Sequence, residues 1–239
     1  MPAAPAYAAL VDALGSDADP VVKDLELYAG PQPPAGYSLD DEADGILRAA
    51  ETAGFERFHL LGYSGGGAAS AWFASRHPAR LLSLALLEPA WLGNEGLGPE
   101  EAAAWRTFEE LAQLPDAEMM PAFVRAQVAP GVEPPAPPPG PPPPWMALRP
   151  PALRVLIGTF LTATLDVDAL RAVTAPVYFG LGGRSNPDYF ARCAERAAGI
   201  FGDFTLDVYE ERHHFDPPHR TEPERLAGAL RELWARAPG

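Results

Sequence analysis

The residues Gly62-Tyr63-Ser64-Gly65-Gly66 are the part of this sequence best suited to chemistry. Where a strand ends and a helix begins, a Gly-x-Ser-x-Gly string holds its serine on a tight turn in strained backbone geometry. Glycine neighbours avoid clashes there, and the hydroxyl stands free to act as a nucleophile. The helix that opens behind it turns unpaired N–H groups and a positive dipole end toward the same spot, which favours a developing oxyanion. The Gly65 N–H is the natural donor. A tight packing turn or a backbone phosphate cradle would use the same glycines, but no Gly-Lys-Ser/Thr follows and the chain is strongly acidic.

The flanking pattern supplies the context that the motif needs. Residues 58–62 are a short apolar run that reads as a strand, and over residues 65–76 Ala69, Trp72 and Phe73 recur at helical spacing until His77-Pro78 stops them. Elsewhere the same alternation predicts a helix at 5–14, a strand at 21–28, and a helix capped by Ser38 with Ala43, Ile46, Leu47 and Ala50 inward. A buried strand follows at 81–87, then one at 177–181, a helix capped by Asn186 and opened by Pro187, and a last strand at 204–209. The closing helix stands behind a capping box, Thr221-Glu-Pro-Glu224. The expected fold is therefore α/β, a mostly parallel central sheet flanked by helices.

Between about residues 91 and 170 the pattern changes to helices at 100–114, 117–128 and 152–164, interrupted by a run from Glu133 to Trp145 that is nearly all proline. Residues 92–170 are expected to form an inserted helical, Pro-rich cap on a single domain of residues 1–239, with 133–145 an extended, polyproline II-like loop. The 29 prolines of the chain, well above the usual share of about 5%, are concentrated there.

Composition narrows the partners. With 18 Lys and Arg against 32 Asp and Glu, the net charge of −14 repels phosphate backbones and argues against nucleic acid. Cys193 is the lone cysteine, so neither an intrachain disulfide nor a multi-cysteine metal site is expected, and it reads as a small buried hydrophobe on a helix face with Tyr189 and Ala197. Residues 1–15 do not look like a signal peptide, and the longest uncharged apolar stretch, 155–165, is short of the roughly 20 residues that span a bilayer. The expectation is a cytoplasmic protein acting on a small molecule, with no cofactor, no metal and no membrane partner; a homo-oligomer is compatible with it. His59 reads as a packed mid-strand histidine and His77 as a helix-end cation.

Four blocks resemble the α/β-hydrolase superfamily across nearly the whole chain. They are Tyr37-Ser-Leu-Asp-Asp41, Phe58-His-Leu-Leu-Gly-Tyr-Ser-Gly-Gly-Gly67, the stretch from His77-Pro-Ala-Arg80 to Glu88-Pro89, and Arg212-His-His-Phe-Asp-Pro-Pro-His219 with Glu222-Pro-Glu-Arg225. The resemblance implies a serine hydrolase, modally an esterase, with Ser64 as nucleophile and its base in the loop after the last strand. His214 is favoured as that base because an apolar residue, Phe215, follows it; His213 is the alternative, and His219 reads as a solvated or cap-proximal residue. The usual acid position falls on Ser185, a departure from the family. Some members place the acid at the end of the strand after the elbow, where Glu88 stands; Asp188 is the alternative acid, although a first-turn position suits it for dipole reasons alone. A base needs its second ring nitrogen held by such an acid.

The resemblance also implies what is missing. A strand and an oxyanion loop that precede the first helix in the family have no counterpart, so either the chain is truncated relative to a working relative or the strands at 21–28 and 58–62 close up directly. The second function class is therefore a catalytically impaired hydrolase-like binding module whose proline run docks on a partner. The aromatic and methionine side chains of the cap, Trp105, Phe108, Met119 and Phe160 among them, could line an acyl pocket or simply pack the cap.

Overall fold

The structure, a computed structural model, describes residues 2–134, 136 and 140–237. Part of the proline run therefore lies outside the described residues. In chain order the elements are α1 (Ala3–Leu14), α2 (Leu39–Thr52), β1 (Phe58–Tyr63), α3 (Gly65–Arg76), β2 (Leu81–Leu87), α4 (Pro99–Leu111), α5 (Asp116–Ala126), α6 (Arg149–Thr162) and α7 (Val167–Arg171). They continue with β3 (Val177–Gly182), a π-helical turn (Pro187–Ala191) running into α8 (Arg192–Ile200), β4 (Phe204–Tyr209), α9 (Pro218–Thr221) and α10 (Pro223–Ala235).

The four strands form one parallel sheet in the order β1-β2-β3-β4. Parallel strands need crossovers that place helices on the faces, so the central strands are buried on both sides and read as unbroken apolar runs. β2 shows the consequence with period 2: Leu84 and Leu86 join the core on one face, whereas Ala85 and Leu87 join the core on the other. The first face carries Phe73 of α3, Ile46 of α2 and Cys193 of α8. The second is covered by Leu10 and Leu14 of α1 and by Leu226, Leu230 and Leu233 of α10.

Two expected elements do not form. Residues 21–28 are not a strand, because no described strand lies beyond β1 for them to pair with; Val21 and Val22 are 50% and 38% exposed. The strands at 21–28 and 58–62 thus do not close up on each other. The segment is instead fastened to α2 by the buried Glu42 carboxylate, which accepts the amides of Glu26 and Leu27 at 3.0 and 3.1 Å and the Tyr37 hydroxyl at 2.9 Å. The capping box at 221–224 is also absent. Pro223 opens α10 and leaves Glu222 as its N-cap, while the Thr221 hydroxyl turns back to the Asp216 and Pro217 carbonyls. Ser38 does cap α2, its amide 2.7 Å from the Asp41 carboxylate.

Candidate active site

The site is built from the ends of the strands. At the end of β1 the chain turns straight into α3, and Ser64 makes the turn at φ 53° and ψ −120°. Its amide donates to Leu87 of β2 at 3.0 Å and its carbonyl accepts from Ala68 and Ala90 at 3.1 and 2.8 Å, so the strained residue is held from three sides. Glycine is needed at two neighbouring positions for close approach. A Cβ on Gly62 would lie 2.2 Å from the Gly66 carbonyl oxygen, and one on Gly67 would lie 2.8 Å from Pro89 Cα. The Gly65 amide belongs to the first turn of α3, where amides have no partner in the helix.

Glu88 follows β2 directly and, like Ser64, has positive φ, at 42°. Only 4% of its surface is exposed, and both carboxylate oxygens are used. Oε1 accepts the Gly182 amide at the end of β3, at 2.9 Å, and Oε2 lies 3.1 Å from His214 Nδ1. His214, 2% exposed, presents Nε2 to Ser64 Oγ at 3.0 Å. A continuous path Ser64–His214–Glu88 results. The imidazole is sandwiched: Phe190 stacks on it at 4.5 Å with 16° between planes, and Phe215 meets it edge-on at 5.4 Å.

The loop that carries His214 is tied to the elbow itself. The Tyr63 hydroxyl donates to the His214 carbonyl, and burial first, then the Glu88 charge, pushes that phenol far above its ordinary range. Tyr63 and Tyr7 also pack against His219, at 5.0 and 4.4 Å between ring centres. His219 is thus neither solvated nor loosely placed: it is 1% exposed, and burial, helped by Arg220 and His214, lowers its pKa to about 3.

The alternative site residues go elsewhere. His213 Nδ1 lies 2.8 Å from Asp216 Oδ1 and also meets the Phe215 amide, so this ring serves the turn. Asp188 is exposed on the helical turn after Asn186, whose side chain caps its amide at 3.0 Å, and Glu88 already occupies the imidazole nitrogen that Asp188 would have to hold. Ser185, at the usual acid position, is buried, and its hydroxyl has no partner among the described residues. His59 is exposed rather than packed, because β1 is an edge strand; its Nδ1 is 2.8 Å from Ser83 Oγ. Cys193 is buried, and burial pushes its thiol up to about 12. Trp91, Trp105, Phe108 and Phe160 are buried in mutual contact, with Trp91 and Phe160 stacked at 5.5 Å. Among the described residues no group of three His, Cys, Asp or Glu side chains could hold a metal ion, and no helix is long and apolar enough to cross a membrane.

Three contributors escape sequence reasoning: the Gly182 amide, the Phe190 ring and the Tyr63 hydroxyl. Only Gly182 has a local signal, its place at the carboxyl end of a strand, the edge where α/β sheets put their sites.

A parallel sheet with a serine elbow at its carboxyl edge defines an α/β hydrolase fold, and the model of that family matches residues 11–136. The chain belongs to the α/β hydrolase fold family. Over 121 residues it is 35% identical to a fluoroacetate dehalogenase from Burkholderia sp., a match that covers 46% of this chain and 40% of that protein. It therefore spans less than half of that relative. Among solved structures it resembles a probable hydrolytic enzyme of Pseudomonas aeruginosa PAO1, with a TM-score of 0.67 and 18% identity over 97% of this chain and 81% of that one. A thermophilic esterase from Thermogutta terrifontis gives a TM-score of 0.66 and 18% identity over 98% and 86% of the two chains. These structural likenesses concern the fold.

Proposed function

We propose that this hydrolase cleaves ester-like bonds of a small organic substrate through a Ser64–His214–Glu88 triad and an acyl-enzyme. The observation that carries the reading is the unbroken path from Ser64 Oγ through both ring nitrogens of His214 to a buried carboxylate, at 3.0 and 3.1 Å. Ser64 Oγ attacks the carbonyl carbon as His214 Nε2 takes its proton. Glu88 holds Nδ1–H and stabilises the imidazolium, and the Gly65 amide receives the oxyanion. The proton passes from His214 to the leaving alkoxide. Water, deprotonated by the same nitrogen, then attacks the acyl carbon and frees Ser64 with release of the acid. Residues 92–170 serve as a cap over the site, and the single buried cysteine agrees with a cytoplasmic setting.

A second reading, an impaired hydrolase-like binding module, is favoured by one feature. The methyl groups of Leu25 and Leu156 stand 3.3 Å from where a Cβ on Gly65 would lie, so apolar groups crowd the start of α3. Fluorophosphonate labelling and turnover of short-chain aryl esters, run beside Ser64→Ala, separate the two. Labelling and turnover that vanish in the variant support the enzyme; activity no greater than the variant's overturns it.

A further inference from the structure

Two arginines on elements that flank the proposed nucleophile meet no carboxylate among the described residues. Acidic side chains are plentiful in this chain, and Arg76, Arg154, Arg196, Arg212 and Arg225 each pair with one. Arg149, like Arg57, Arg106 and Arg125, forms no salt bridge among the described residues, and its guanidinium meets only the Tyr28 hydroxyl, at 3.5 Å. Arg220 likewise forms no salt bridge among the described residues, and its guanidinium donates to the carbonyl of Phe215, the residue after His214, at 2.9 Å.

Both cations belong to the neighbourhood of the site. Arg149 opens α6, and Leu156 lies seven residues on, hence on the same helix face, with Cδ2 3.3 Å from where a Cβ on Gly65 would be. Two turns of helix rise about 10 Å. That offset along α6 suits the far end of a bound molecule rather than its scissile bond. Arg220 reaches the carbonyl of Phe215, next to His214, and the charges of both guanidiniums lower the pKa of the Tyr63 phenol, more weakly than burial raises it. Unanswered cations raise the local concentration of anions, and the planar guanidinium fork matches a carboxylate.

We propose that Arg149, assisted by Arg220, binds a free carboxylate of the substrate, so that the enzyme acts on half-esters of dicarboxylic acids and similar anionic esters. The inference rests on the hydrolase reading above. The test is calorimetric titration of Ser64→Ala protein with monomethyl glutarate and with methyl glutaramate, its neutral amide counterpart. The half-ester is expected to bind at least about tenfold more tightly, a charge-assisted pair supplying the difference. The preference should shrink in 0.5 M NaCl and disappear in Ser64→Ala/Arg149→Gln, while Arg149→Lys retains part of it. The salt series needs no second variant and so reads the electrostatic contact even if Arg149→Gln folds poorly. Equal affinity for the two probes, or a preference that survives both high salt and Arg149→Gln, overturns the proposal. Ester turnover by the wild type, compared with Ser64→Ala, is read separately: its absence sinks the hydrolase reading whatever the half-ester does.

Discussion

Ser64 and Glu88 share a backbone state that no other described non-glycine residue adopts: both have positive φ, at 53° and 42°. They end the two adjacent strands β1 and β2, and the Leu87 carbonyl just before Glu88 accepts the Ser64 amide at 3.0 Å. Strain of about 1–3 kcal/mol at each such residue persists only where surrounding bonds enforce it. Here it turns two side chains out of the sheet edge toward one imidazole.

Relieving the strain at Ser64, the proposed nucleophile, should separate stability from activity. Ser64→Gly is expected to gain about 1 kcal/mol and raise Tm by a few degrees, because glycine tolerates positive φ. Ser64→Ala keeps the Cβ and the strain, so it should show no such gain. Both should lose at least ~10³-fold in ester turnover. Thermal melts and steady-state kinetics on the two variants check this, and equal Tm values would count against strain at Ser64.

The Glu88 carboxylate answers two buried donors, so its variants should rank by what they leave unanswered. Glu88→Ala strands the Gly182 amide and His214 Nδ1 and should cost about 1–3 kcal/mol in denaturant unfolding. Glu88→Gln retains a carbonyl acceptor and should cost less. Activity should nonetheless fall in both, by ~10²–10⁴ in kcat, because the amide neither stabilises the imidazolium nor fixes its tautomer.

His219 should make stability pH-dependent on the acid side. Its folded pKa of about 3 lies below the unfolded value of 6.5. The unfolded state therefore takes up the proton first as pH falls. Stability from the neutral, buried ring is complete above about pH 6.5 and is lost toward pH 3, at up to about 1.4 kcal/mol per pH unit. His219→Phe, which keeps a ring against Tyr7 and Tyr63, should flatten that slope. Urea unfolding at pH 7, 5.5 and 4 measures it; an unchanged slope would remove His219 as its source.

Cys193 should be silent in the folded protein. Buried and with its thiol pushed up to about 12, it is expected not to react with a disulfide reagent at pH 8 until the chain is denatured. Rapid native-state labelling would show that α8 opens locally.

The regular part of the fold was legible because parallel strands buried on both faces must be apolar throughout. β2 begins and ends at the expected residues, and α3 runs over the expected span; β4 does so as well, although it is an edge strand with Thr205 and Leu206 exposed. The misreadings share a cause, a local pattern decided by a distant partner. Residues 21–28 have strand composition but no neighbouring strand among the described residues, and Glu42, 16 and 15 residues on, takes the amides of Glu26 and Leu27. Thr221 and Glu224 have capping-box spacing, yet Pro223 fixes the start of α10 one residue later. At the site, the elbow was readable from its glycines alone, whereas the contest between Glu88 and Asp188 was not, because it turns on which carboxylate the sheet brings to His214, a relation between residues 126 apart in the chain.

Each strand of the sheet contributes one group to the Ser64–His214–Glu88 constellation: Ser64 follows β1, Glu88 follows β2, the Gly182 amide closes β3, and His214 stands in the loop after β4. The constellation is thus a record of the whole order of assembly. A chain emerging from the ribosome holds Ser64 and Glu88 long before His214 has been made, and parallel pairing across long crossovers is slow to complete. In refolding, helical signal should return first and fluorophosphonate reactivity last, when the final strand docks.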